Sequence, residues 1–175
     1  MSLEAEKAAL RRLVRAGRKS MKLASPDAAE RAAQLFLETG PPPPAVVALY
    51  NPMGAELDPA PLARRLAARG VVLALPEVRA EGAPLVFVKA ADLQAEVDPG
   101  LVFTPLIAFD AHGGRLGQGG GFYDRTMAER RAAAPNPPLF IGLAYAGQEV
   151  ARVPVGPHDQ RLDGVLTETA YVSFA

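Results

Sequence analysis

Four stretches of this sequence are apolar without alternation, and they decide what the chain can become. Residues 45–50 (AVVALY), 71–75, 101–109 (LVFTPLIAF) and 139–144 run only five to nine residues each. That is strand length, and a strand apolar on both sides must be covered on both faces. The segments between them carry helical spacing instead. Leu3, Leu10, Leu13, Val14 and Met21 place a helix over 4–22. Ser25-Pro26-Asp27 starts a second helix to residue 38, stopped by Gly40 and the prolines after it. Asp58 caps a third that runs to Arg69, with Gly70 as its stop, and 122–133 forms a fourth. Residues 85–88 suit an edge strand and 165–172 a last one. Pro76 is expected to end the strand at 71–75, and Pro105 interrupts the run at 101–109. Residues 51–54 and 110–121 read as loops. Strands alternating with helices describe an α/β chain with a mostly parallel sheet between helical layers. With no internal repeat and no long linker, residues 1–175 are expected to form a single domain.

Charge and composition narrow the function. The 19 basic and 19 acidic side chains cancel, so nothing global favours nucleic acid or a membrane surface, and any anion site must be local. There is no cysteine, which excludes disulfides, thiol catalysis and thiolate-held metals; two histidines argue against zinc. No apolar run approaches the roughly 20 residues that span a bilayer, and the charged start lacks an apolar signal core. A cytoplasmic protein acting on a small molecule is the expectation, as a monomer or weak homodimer.

The informative stretch is 109–125, FDAHGGRLGQGGGFYDR. It follows an apolar strand and leads into a helix. Glycines let the backbone approach a ligand and turn its N–H groups inward, and a helix start adds free donors and partial positive charge. Together these suit a phosphate. Arg115 adds a bidentate cation, and Asp124 could hold Mg²⁺ against the phosphates. The bland alternative is a flexible turn with Asp124 favouring the helix start. No Gly-Lys-Ser/Thr follows, so this is not a Walker loop. Phe122 stands where a dinucleotide fingerprint needs Gly or Ala. Lys7, Arg11, Arg15 and Arg18 lie at steps of four, four and three, along one face of the first helix; alone, Lys7 and Arg11 read as a solvated face.

The string itself says more. Arg115-Leu116-Gly117-x-Gly119-x-Gly121-x-Tyr123-Asp124 resembles the RLGxGxGYYD signature of the 5-formyltetrahydrofolate cyclo-ligase family, with Phe109-Asp110-x-x-Gly113 as its lead-in. Lys7-x-x-Leu10-Arg11 resembles the family's KxxLR. Val153-Pro154, His158-Asp159, Leu162-Asp163, Val165 and Thr167-Glu168 follow its C-terminal pattern. Residues 51–56 and Leu75-Pro76 fit more loosely. Phe122 departs from the usual tyrosine, removing a hydroxyl, and Gln118 stands where Tyr or Arg is common.

The resemblance implies a three-layer α/β/α sandwich with a central, mostly parallel sheet. It implies an ATP- and Mg²⁺-dependent ligase of one-carbon metabolism that converts 5-formyltetrahydrofolate to 5,10-methenyltetrahydrofolate by phosphorylating the formyl oxygen. Carried over by position, Arg115 and Tyr123 would be catalytic. Lys7, Arg11, Arg115, Leu116, Gly117, Gln118, Gly119, Gly120, Gly121, Phe122 and Tyr123 would bind ATP. Asn51, Met53, Glu56, Phe122 and Tyr123 would bind the folate, with Glu56 on the donor edge of the pterin. Asp124 and Asp159 would hold Mg²⁺. If Lys7 and Arg11 are an exposed pair serving ATP, neutralising both should leave the unliganded melting temperature unmoved. Two other readings are a non-catalytic nucleotide- or folate-binding regulator on the same fold, and a sugar-phosphate isomerase or acyl-CoA transferase relative, for which no catalytic carboxylate stands beside the glycine loop.

Overall fold

The computed structural model describes residues 2–174. Helix α1 (Leu3–Ala24) starts on Ser2, whose hydroxyl accepts the Ala5 N–H, and α2 is Ala28–Thr39. Strand β1 (Val46–Ala48), α3 (Ala60–Ala67) and β2 (Val72–Glu77) form a crossover unit. Strands β3 (Val86–Lys89) and β4 (Asp92–Glu96) precede β5 (Leu101–Pro105). A small hairpin, β6 (Ala108–Phe109) with β7 (Arg115–Leu116), carries the glycine loop into α4 (Phe122–Ala133). Strands β8 (Leu139–Leu143), β9 (Gly164–Leu166) and β10 (Tyr171–Ser173) follow.

Eight strands make one sheet in the order β10-β9-β8-β5-β1-β2-β3-β4. The five from β9 to β2 run parallel, and the outer strands turn antiparallel. The period-2 alternation sorts the apolar strand residues to two faces. Val47, Leu101, Phe103, Ile141 and Leu166 meet α2 and α3 through Ala32, Phe36, Leu62 and Leu66. Ala48, Ala74, Val102, Phe140 and Val165 meet Met127 of α4 on the opposite face. This is the three-layer sandwich. Helix α1 packs through Val14 on Ile107, Ala108, Leu116 and Val153 at the hairpin. Among the described residues no helix is long and apolar enough to cross a membrane.

Several expectations need correction. Pro76 does not end its strand: past Ala74, β2 pairs only with β3, so one missing donor is tolerated there. Asp58 is not the cap residue of α3, which Pro59 is; its Oδ1 still accepts the Ala60 N–H at 2.9 Å. The run 165–172 is two strands, because the Thr167 hydroxyl accepts the Thr169 and Ala170 N–H groups and turns the chain back. Residues 85–88 do not hold the edge expected of them: β3 is paired on both sides, and the edge is β4, which was not foreseen. It is polar and exposed and owes its form to pairing with β3 across a bulge. Leu13 is 71% exposed, so the inner stripe of α1 runs through Lys7, Leu10, Val14, Arg18 and Met21 instead.

A candidate active site at the ends of the parallel strands

From β1 the chain passes to β2 on one side, and from β5 to β8 on the other. Adjacent parallel strands whose continuations diverge leave a crevice beyond their carboxyl ends. The structure has a cavity of about 580 Å³ there. Tyr50 and Asn51 after β1, Pro76 of β2 and Pro105 of β5 form its floor. The glycine loop and the start of α4 close one side, Lys7 and Arg11 of α1 another.

The loop's shape follows from its residues. Asp110 accepts the His112 and Gly114 N–H groups on Oδ1 and the Val153 N–H on Oδ2, at 2.8–2.9 Å, which ties the hairpin turn to residue 153. A side chain at Gly114 would put its Cβ 2.5 Å from that carboxylate. Gly121, at φ +67°, turns the chain directly into α4, a backbone state that side chains disfavour. Burial alone would raise the Asp110 carboxyl, but its three N–H donors outweigh this and hold it below the ordinary carboxylate value. Because the folded value lies below the unfolded one, the resulting stability is present above about pH 4 and lost as pH falls through the lower folded value. Asp110→Asn should therefore melt earlier than the parent at neutral pH, and the gap should close under acid. A gap constant from neutral pH down to about pH 2.5 would contradict this.

Every residue singled out for the site lines this one cavity: Lys7, Arg11, Asn51, Met53, Glu56, the run from Arg115 to Asp124, and Asp159. Arg115 donates to Asp124 Oδ2 at 2.8 Å, its guanidinium 5.6 Å from the centre of the Tyr123 ring. Burial pushes the Tyr123 phenol up; the Arg115 charge opposes this and that of Glu56 adds to it, so the phenol stays a proton donor at neutral pH. The Gln160 N–H meets Asp124 Oδ1 at 3.0 Å. Arg11 Nε donates to the Gly117 carbonyl at 2.9 Å, fastening α1 to the loop. Phe122 lies under the Arg125 guanidinium at 5.0 Å, and Arg125 donates to the Gly120 carbonyl. His158 is exposed and lies outside the cavity lining.

Lys7 is not on a solvated face. It is 8% exposed and meets Asp159 Oδ2 at 2.5 Å. Burial would raise the Asp159 carboxyl, but the Lys7 hydrogen bond, the Gly156 N–H and the charges of Lys7 and Arg115 lower it overall. Replacing Lys7 will therefore cost stability, contrary to the expectation of an unmoved melting temperature.

Glu56 is buried, 3% exposed, and accepts the Met53 N–H on Oε2 at 2.9 Å. Gln118 donates to Oε1 at 3.0 Å while its own carbonyl accepts from Arg15. Glu4, Tyr50, Val78 and Leu85 also line the cavity without having been singled out. The apolar ones carried no motif, and only the topology brings them here. Leu85 is held by its N–H on the buried Thr126 hydroxyl at 2.8 Å.

Among the described residues no three His, Asp or Glu side chains cluster to hold an ion. The chemistry of Mg²⁺ asks for less: one or two carboxylates, with water and substrate phosphate completing its shell. Asp124 and Asp159 both face the cavity. The Lys7 ammonium and the Gly156 N–H both meet Asp159 on Oδ2, and Asp124 accepts Arg115 on Oδ2 and the Gln160 N–H on Oδ1; each carboxylate keeps further lone pairs, so the two fit an ion completed by water and phosphate.

Residues 87–168 match the model of the 5-formyltetrahydrofolate cyclo-ligase family. A 5-formyltetrahydrofolate cyclo-ligase of Haemophilus influenzae is 46% identical over 66 residues, 38% of this chain and 34% of that protein. That of Escherichia coli K12 is 43% identical over 67 residues, 38% and 35% of the two chains. The matched stretch thus spans about a third of the length of these curated relatives. Among solved structures, a 5,10-methenyltetrahydrofolate synthetase from Mycoplasma pneumoniae superposes with a TM-score of 0.77 at 22% identity, over 93% of this chain and 99% of that one. One from Aquifex aeolicus gives 0.74 at 23%, over 96% and 92%. The fold is therefore that of the methenyltetrahydrofolate synthetases, and the sequence of 87–168 resembles the cyclo-ligases.

Proposed function

We propose that this chain, with a cyclo-ligase sequence over residues 87–168 on a methenyltetrahydrofolate synthetase fold, closes 5-formyltetrahydrofolate to 5,10-methenyltetrahydrofolate at the expense of ATP. The observation that carries the reading is the convergence of the signature loop, the two α1 cations and a buried carboxylate on one cavity.

A formamide oxygen is a poor leaving group. In the proposed reaction it attacks the γ-phosphorus of ATP, ADP departs, and the oxygen becomes part of a phosphate. The N10 nitrogen then attacks the formyl carbon, the C–O bond breaks, phosphate leaves with that oxygen, and N10 gives up its proton to the departing phosphate or to water. Little covalent work falls to the protein, so catalysis is positioning and charge compensation. Lys7, Arg11 and Arg115 face the phosphates, and loop N–H groups from Gly117 to Gly121 supply further donors. Asp124 and Asp159 would hold Mg²⁺, which supplies charge neutralisation on the phosphates. Arg115 and the protonated Tyr123 stand where charge develops on the transferred group. Asn51, Met53, Phe122 and Tyr123 wall the folate, and Phe122 keeps the stacking surface while lacking the hydroxyl.

Glu56 is assigned to the ring edge of the pterin, where a carboxylate can accept two N–H bonds. A hydrogen bond to a charged group contributes about 1.5–3 kcal/mol. Glu56→Gln should weaken folate binding by roughly tenfold or more with ATP affinity little changed. Titrating each ligand separately checks this, and equal losses for both would count against a pterin-specific role. The activity is tested by mixing the protein with 5-formyltetrahydrofolate, ATP and Mg²⁺ and following the near-ultraviolet absorbance of the methenyl product. Binding of both ligands without that absorbance would instead make the chain a non-catalytic binder.

A further inference from the structure

Glu56 is a carboxylate out of water, and its two hydrogen bonds, from the Met53 N–H and the Gln118 amide, bring no charge. A buried charge needs a partner of opposite sign. The cation near it is Arg18 of α1, with Nη1 4.0 Å from Oε1. Arg18 is itself 7% exposed and does not line the cavity, so it has no direct access to a ligand. Its attachments are sparse: Nη1 donates to the Leu106 carbonyl at 3.4 Å, and Nε is buried without a partner among the described residues. Gln148 already donates to the same carbonyl at 3.0 Å, so Arg18 is not needed to satisfy it. Arg15 reaches Glu56 only through Gln118, whose carbonyl accepts from it, and Lys22 donates to the Gly54 carbonyl instead; the Tyr50 and Tyr123 phenols, which the Glu56 charge reaches, bring no positive charge.

We infer that Arg18 is a positioning residue: it supplies the positive charge that lets the Glu56 carboxylate lie buried and aimed into the cavity. The inference rests on the reading of Glu56 as the group that meets the ring edge. Arg18 reaches the substrate only through Glu56. That explains a guanidinium buried within a basic face of which Arg15 stays exposed.

The test is a cycle of R18Q, E56Q and the double variant in the full chain, with R18K as the conservative control. Removing one member of a buried pair strands the other, whereas removing both is often neutral. R18Q should lower the unliganded melting temperature by about 6 °C or more, and adding E56Q should restore at least about half of that loss. Affinity for 5-formyltetrahydrofolate should fall about tenfold in R18Q with the KM for ATP within about twofold of the parent. R18K should recover most of the folate affinity, and in the E56Q background R18Q should add less than about a twofold further loss. If R18Q yields no folded protein, recovery of folded protein in the double variant gives the same answer. A double variant no more stable than R18Q, or R18Q with parental folate affinity, overturns the inference. E56Q binding folate like the parent overturns the ring-edge reading instead, and the melting-temperature cycle then still decides the pairing.

Discussion

Asp124→Asn should cut turnover of 5-formyltetrahydrofolate and ATP by at least about a hundredfold, the order of loss when one preorganised electrostatic group is removed from a transition state. The substitution keeps the size and one carbonyl acceptor but removes the charge. Two consequences can be separated. The Arg115 side chain is 4% exposed and Asp124 19%, so the variant leaves a buried guanidinium facing a neutral group and should melt a few degrees early. That loss is independent of any metal. If Asp124 also holds Mg²⁺ on the phosphates, the Mg²⁺ concentration needed for half-maximal turnover should rise in the variant. Arg115→Lys, which disturbs the pair from the other side, should leave that concentration nearly unchanged. Near-parental turnover at limiting Mg²⁺ would remove Asp124 from the metal's shell and leave it as the anchor of Arg115.

The strands were readable because burial on both faces leaves an unbroken apolar run, as in β1, β5 and β8. Strand β4 left no such trace, since its residues are set by backbone pairing to β3 and its side chains face water. The glycine loop was readable because its backbone demands restrict the residues allowed, Gly113 and Gly121 both lying at positive φ. What those residues do for the loop was less visible. Asp110 stood in the sequence as a lead-in and proves to be the three-donor clasp of the hairpin. Asp163 and Glu168, in the C-terminal pattern, accept the Phe140 and Ala146 N–H groups and are scaffold beside β8.

Helix α1 shows most clearly what was missed. Lys7 and Arg18 fall in step with Leu10, Val14 and Met21, at intervals of three and four. Charged residues in register with an apolar stripe point inward, and an inward charge requires a buried partner. Counting the basic residues as one face hid this, because 7, 11, 15 and 18 also satisfy helical spacing. The partners, Asp159 and Glu56, lie 152 and 38 positions away in sequence and only the fold brings them in.

Replacing Lys7 and Arg11 together by Gln should raise the apparent KM for ATP at least tenfold with a smaller effect on folate. The unliganded protein should also melt earlier, because Asp159 loses the partner it meets at 2.5 Å and Gly117 loses the Arg11 donor that ties the loop to α1. A lower starting stability alone would not change how far ATP raises it, so the informative quantity is the increment. At about a hundredfold excess over its dissociation constant a ligand contributes about 2.7 kcal/mol, or roughly 5–10 °C for a chain of this size. The parent should show that increment with ATP and Mg²⁺, and the double variant should show almost none. The single variants apportion the result. Arg11→Gln, with Arg11 more exposed than Lys7, should lose ATP protection with a smaller fall in unliganded melting than Lys7→Gln shows. Lys7→Gln should lose both, since its ammonium is shared between Asp159 and the phosphates. Full protection of the double variant by ATP would mean that the two cations hold the helix to the loop and the C-terminal segment, and that the phosphates are met by Arg115 and the loop N–H groups alone.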